Sequence, residues 1–172
     1  LAGLGAAANG DADIPERSYL RNLLLVTAER GKFTRTTAPT VPANVEPTAS
    51  SGLAIVGRDG RPLVATPGMP ALDDAWQAFL ADASVGRPAV YDLYLSKTGA
   101  PTMGFVVPLF QVQADNDPSR QIGWVIGIKE VAAELFPLLR QPGTTEKTLE
   151  AVLVRKRENA IEYLSPLLNG RG

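Results

Sequence analysis

Apolar positions follow two rhythms along this chain, and each change of rhythm marks a new element. The first rhythm is helical. Asp13-Ile14-Pro15-Glu16 reads as a helix start, with a capping aspartate, a proline in the first turn and a glutamate three residues on. The spacing of Tyr19, Leu20, Leu23, Leu24 and Thr27 predicts the inward stripe of a leading helix over 14–31, ended by Gly31. Residues 34–52 are rich in Thr, Pro, Ala and Ser, and Pro39, Pro42 and Pro47 predict a connector there. Two short apolar runs, Leu53–Val56 and Pro62–Ala65, flank Gly57-Arg58-Asp59-Gly60 and predict a β-hairpin.

Helical spacing returns over 71–85, where Leu72, Ala75, Trp76, Phe79, Leu80 and Ala83 define one apolar face. Asp73 and Asp74 fall in the first turn, where a carboxylate favours the helix dipole, and Gly86 and Pro88 stop the element. Strand rhythm then takes over in 89–96, 102–112 and 122–129. The last two runs are apolar on both alternations, so the sheet they build needs cover on both faces. A short helix is expected over 131–140, interrupted at Pro137, followed by a second hairpin from 149–155 and 160–164. The prediction is an α+β fold: a five-stranded antiparallel sheet with a long N-terminal helix and a helix inserted between strands 2 and 3.

Composition narrows the chemistry. The 172 residues suit one domain, or one domain and part of another. With 17 basic against 18 acidic residues and no basic stripe, nucleic acid is not an expected partner. Histidine and cysteine are both absent, which excludes a Ser-His-Asp triad, a thiol nucleophile, disulfides and His or Cys metal ligands. Ser165 and the threonines have no base to activate them. No run of roughly twenty apolar residues occurs, so the chain itself does not cross a bilayer as a helix. Its leucine start suggests a piece of something longer. No catalytic residue, metal site or cofactor is expected, and the chain is read as a non-enzyme.

Several stretches in order resemble a known family. The leading helix, GLAIVGRDGRPLVATPG at 52–68, YDLYLS at 91–96, GFVVPLF at 104–110 and IGWVIGIKE at 122–130 are similar to the Cache-type, PAS-like sensor domains of bacterial signalling proteins. The resemblance spans about 14 to 140. The tail EAVLVRKRENAIEYLSPLL at 150–168 resembles the start of the membrane-proximal half of double Cache proteins. It implies a sensor domain over 1–141 and a hairpin segment over 142–172 that opens a second subdomain. No Arg-x-Trp-Tyr signature of the amino-acid-binding subgroup occurs.

The resemblance implies a periplasmic portion of an inner-membrane sensor kinase, diguanylate cyclase or chemoreceptor. Such a domain binds a small molecule, an organic acid or amino acid among the candidates, and forms a homodimer through its N-terminal helix. The candidate ligand-binding residues are Trp76 and Phe79 on the inserted helix, Tyr91, Asp92 and Tyr94 on the next strand, Met103 and Phe105 on the strand after, and Lys129 at the end of the last. Each has a plainer reading. The aromatic residues and Met103 suit core packing, Tyr91 and Leu93 can face inward with Asp92 and Tyr94 outward, and Lys129 suits the surface, as does Arg87. Asp115-Asn116-Asp117 is read as a turn, lacking the glycine and distal glutamate of a calcium loop. The alternative function is a ligand-free dimerisation module of roadblock/profilin-like type, which Leu53–Ala65 also fits.

Overall fold

A computed structural model of the chain describes residues 15–34, 50–83, 86–97, 99–114, 117–139, 151–157 and 160–165. Of the connector read at 34–52, residues 35–49 lie outside the described residues, as do the capping Asp13 and the pair Asp115-Asn116, and Gly52 already belongs to the first strand. Helix α1 spans Pro15–Arg30, hairpin strands β1 and β2 span Gly52–Gly57 and Pro62–Ala65, and α2 spans Asp74–Asp82. Strands β3 (Ala89–Leu95), β4 (Pro101–Phe110) and β5 (Gln121–Glu130) follow, then α3 (Ala132–Leu139) and the hairpin β6 (Val154–Arg157) and β7 (Ala160–Tyr163). Among the described residues, one sheet has the order β2-β1-β5-β4-β3 and a second pairs β6 with β7. This architecture is α+β and compatible with a PAS-like fold.

The chain divides into two compact units. One comprises Leu1–Tyr91 with Gly104–Lys129, the other Asp92–Met103 with Glu130–Gly172.

In the first unit β1 is the centre of organisation. It pairs antiparallel with β2 and with β5, setting Leu53 opposite Gly127, Ala54 opposite Ile126 and Ile55 opposite Val125. Every residue of β1 is buried, because side chains of both alternations find cover. On one face Leu53, Ile55 and Val64 form a core with Leu24 and Ala28 of α1, flanked by Leu20, Phe33, Leu109 and Val125. On the other alternation Ala54, Val56 and Ile126 are also buried. Thr66, just beyond β2, accepts a hydrogen bond at Oγ1 from the buried Leu53 N–H at 2.9 Å, which satisfies a donor at the start of β1.

The helical stripe of α1 differs from the expected one. The buried residues are Leu24 and Ala28, with Leu20 half-buried beside them, whereas Tyr19 is 68% and Leu23 51% exposed and Thr27 turns its hydroxyl back to the Leu23 carbonyl. The cause is Arg17, whose Nε and Nη2 both donate to the Leu63 carbonyl, at 3.1 and 3.0 Å. Arg17, Leu20, Leu24 and Ala28 lie three or four residues apart, so anchoring Arg17 on β2 turns this line toward the sheet. The end of α1 also differs. Lys32, not Gly31, adopts the left-handed conformation (φ 56°). Lys32 N–H donates to Glu29 O and Phe33 N–H to Ala28 O, the bond pattern of a Schellman motif.

Helix α2 is shorter than the 71–85 expected, because Asp73 is its cap: the carboxylate accepts from Trp76 N–H at 3.1 Å. Helix α3 runs through Pro137 instead of stopping there. In a helix of two turns the missing N–H removes little of the bonding, and Leu135 N–H already closes the first turn on Val131 O.

Candidate functional site

The inserted helix positions the aromatic side chains. Trp76 and Phe79 are one turn apart on α2, and Gln77 ties the same helix to the β1–β2 turn by donating from Nε2 to Gly60 O at 3.1 Å. Trp76 is buried, at 3% exposure, and its indole stacks on the Tyr91 ring with centroids 4.4 Å apart and planes 20° from parallel. Phe79 meets both edge-on, 5.9 Å from Trp76 and 4.9 Å from Tyr91. Such arrangements match the aromatic quadrupoles as well as burying area. A β-carbon at Gly104 on β4 would overlap Cη2 of Trp76 and stand 2.5 Å from Cζ2. The indole therefore occupies the space where a side chain at 104 would be, and the strand admits it because residue 104 has none.

Of the eight residues singled out from the sequence, the structure brings three into this cluster: Trp76, Phe79 and Tyr91. Phe105 is adjacent to Gly104 on β4, and successive strand residues face opposite ways. It accordingly lies against Phe33, with ring centroids 5.9 Å apart and planes at 88°. Lys129 belongs to that same face. Its Nζ stands 5.6 Å from the Phe33 ring centroid and donates to Gly31 O at 3.3 Å, where α1 ends and its dipole is negative. Gly127, between them on β5, lets Phe33 approach the backbone. Met103, two places before Phe105, is half-buried.

Asp92 and Tyr94 alternate with Tyr91 and Leu93 on β3, and it is the latter pair that faces inward, Leu93 buried and Tyr91 under the indole. Tyr94 is half-buried and Asp92 exposed.

The charge cluster around Asp92 was not foreseen from sequence. Within the second unit, Arg155 on β6 donates from Nη1 to Asp92 Oδ2 at 2.9 Å and to Leu93 O at 2.7 Å. Its Nε and Nη2 bond Glu162 Oε2 on β7 at 3.0 and 2.8 Å. Asp92 Oδ1 accepts from Leu93 N–H at 2.7 Å, closing the arrangement. The bonds it donates to Glu162 first, and to Asp92 second, raise the pKa of the Arg155 guanidinium above its already high value, so it stays charged. Asp92 lies more than 60 residues from Arg155, and no local spacing signals the pair. Beyond β4, Asp117 accepts from Ser119 N–H at 2.9 Å and Ser119 Oγ at 2.8 Å. The backbone bond first, then the hydroxyl, hold its carboxyl below the ordinary value of 3.8.

Chemically, the aromatic cluster can stack on a flat molecule that takes the place of a ring. Among the described residues, no group of three or more acidic side chains stands together as a metal site. No helix among them is long and apolar enough to cross a membrane.

No family model and no curated protein matches the chain. Among solved structures it is similar to a fungal LOV domain photoreceptor, whose structural study concerns a pathway integrating blue light and oxidative stress. Identity is 17%, coverage is 61% of this chain and 90% of that one, and the TM-score is 0.30.

Proposed function

We propose that this chain is a small-molecule sensing domain of Cache type, the extracytoplasmic part of a bacterial membrane signalling protein whose output is a kinase, cyclase or chemoreceptor region. The observation that supports sensing is the seat of Trp76. An inserted helix presents a buried indole to a glycine on the sheet, stacked on Tyr91 and edged by Phe79. A flat organic molecule that competes for the Tyr91 face displaces the indole and moves α2. The ligand class we assign is a ring-bearing amino acid or aromatic carboxylic acid, because the walls are aromatic. Lys129 serves α1 in this reading and not the ligand.

Ligand binding shifts the equilibrium only by the difference in its affinity for the two positions of α2. The test is fluorescence of Trp76 in a Trp124→Phe background, which removes the other tryptophan. Titration with a panel of amino acids and aromatic acids should give saturable emission changes with a matching rise in melting temperature. A panel that moves neither signal up to millimolar concentration ends the sensing reading. The membrane context is tested in the gene, by apolar stretches of roughly twenty residues flanking the coding region of this chain.

A second reading, a ligand-free interaction module of roadblock/profilin-like type, is favoured by a different observation. The indole itself fills its seat, while α1 leaves Tyr19, Leu23 and Val26 exposed. In that reading the same titration is silent and the chain associates through α1.

A further inference from the structure

Helix α2 is nine residues long and buries Trp76 and Leu80. A helix that short is marginal without tertiary support, so the contacts that hold it decide how readily it moves. Two neighbouring side chains are seated on glycines. Trp76 fills the space over Gly104, and Gln77 fills the space over Gly60, where a β-carbon would overlap its Oε1. The second seat is polar: Gln77 Nε2 donates to Gly60 O at 3.1 Å. Among the described residues this is the one hydrogen bond from a side chain of α2 to another element. The acceptor is held stiffly. Gly60 adopts φ 76°, where a side chain would be strained. Its N–H donates to Gly57 O at 3.0 Å, Gly57 N–H donates to Arg61 O at 2.9 Å, and Asp59 Oδ1 accepts from Arg61 N–H at 3.1 Å. The carbonyl therefore stays in place, and α2 is the partner that can leave. Gln77 is half-buried, so water replaces the bond once the helix lifts, and neither group is left unpaired.

We propose that Gln77 on Gly60 is a latch, a bond replaceable by water that sets how often α2 lifts and Trp76 leaves Gly104. The indole supplies most of the grip through its stack on Tyr91 and its seat on the strand. The latch adds a smaller, directional hold at the adjacent residue. The net worth of such a bond corresponds to about a three- to tenfold change in the open population. A ligand that needs the indole displaced loses apparent affinity by the factor through which the latch lowers the open fraction. That consequence rests on the sensing reading; the latch itself does not.

Native-state hydrogen exchange of the full chain across a low-urea series tests the latch with no ligand present. In the parent, the amides of Leu80 and Ala83 should exchange through a local opening that urea does not affect, while those of β1 and β5 wait for global unfolding. Gln77→Met keeps the length and helix preference of the side chain and removes the donor. It should speed exchange at Leu80 and Ala83 about three- to tenfold without urea, and the exchange should remain insensitive to urea. Gly60→Ala should also speed α2, because its β-carbon strikes the Gln77 amide. In a Gln77→Ala background that extra effect on α2 should vanish, leaving only the strain of the turn. Exchange in α2 that follows the same urea dependence as β1 and β5 would overturn the latch. So would a Gln77→Met chain whose α2 amides exchange at the parent's rate. The expected exchange beside a silent titration of Trp76 ends the sensing reading and leaves the latch standing.

Discussion

Replacing Gly104 with alanine tests the seat of Trp76 most directly. The new β-carbon would overlap Cη2 of the indole, stand 2.5 Å from Cζ2 and lie 2.9 Å from Tyr91 Cβ. Carbon pairs are content at about 3.5–4.0 Å, so the ring must move by an ångström or more. It has no easy direction to move in, because it is stacked on Tyr91 and edged by Phe79. Overpacking of this kind costs about 1–3 kcal/mol. Each disrupted aromatic pair forfeits part of a further 0.5–1.5 kcal/mol or so, which places Gly104→Ala near the upper end, at about 2–3 kcal/mol. For a chain of this length each kcal/mol lowers the melting temperature by about 2–4 °C, so the drop is about 4–12 °C. The decisive assay is a double-mutant cycle in urea. Trp76→Phe deletes the part of the ring that the methyl strikes, so the double variant should be at least about 1 kcal/mol more stable than the sum of the single effects predicts. Additivity within about 0.5 kcal/mol, or a Gly104→Ala chain as stable as the parent, refutes the close approach of indole and strand.

Three other outcomes follow from the hydrogen bonds. Thr66→Val removes the acceptor of a buried N–H and should cost about 1–3 kcal/mol in urea unfolding, with Thr66→Ser recovering most of it. Arg155→Ala should lower amide-exchange protection in β6 and β7 by about tenfold while leaving β1 and β5 unchanged. A uniform loss across the chain would contradict the local role given to that side chain. Asp117 has its carboxyl held below 3.8, so its hydrogen bonds favour the folded loop above that pH and are lost as pH falls through the lower, folded value. Carboxyl NMR titration should show this depression, and Ser119→Ala should undo the part due to the hydroxyl but not the larger part due to the backbone N–H.

Local pattern revealed the elements whose causes are local. The hairpin around Asp59-Gly60 and the apolar face of α2 needed only turn chemistry and helical spacing, and Trp76 and Phe79 emerged from the latter. The rotation of α1 was hidden because Leu23-Leu24-Leu25-Val26 is apolar nearly all round. Spacing cannot choose between Leu23 and Leu24 until Arg17 finds the Leu63 carbonyl. The separation of Trp76 from Phe105 by the sheet was hidden for a related reason: β4 and β5 are apolar on both alternations, so neither face advertises its partner. Asp92 was ambiguous because a strand carboxylate serves a ligand or a distant arginine equally well, and Arg155 lies too far along the sequence to signal itself.

The guanidinium of Arg155 does more than fasten a hairpin. Strand β3 ends the five-stranded sheet, and an end strand offers unsatisfied backbone groups on which a foreign chain can extend the ladder. At Leu93 both groups are occupied, the N–H by its neighbour's carboxylate and the carbonyl by the arginine. A proteolytic cut that removed the final twenty-odd residues would keep all five strands and the Asp92 bond to the Leu93 N–H, yet leave the Leu93 carbonyl without the arginine. The practical consequence is an acceptor opened on the end strand, so the shortened protein should self-associate more readily in storage than the full chain, read as a rise in light scattering.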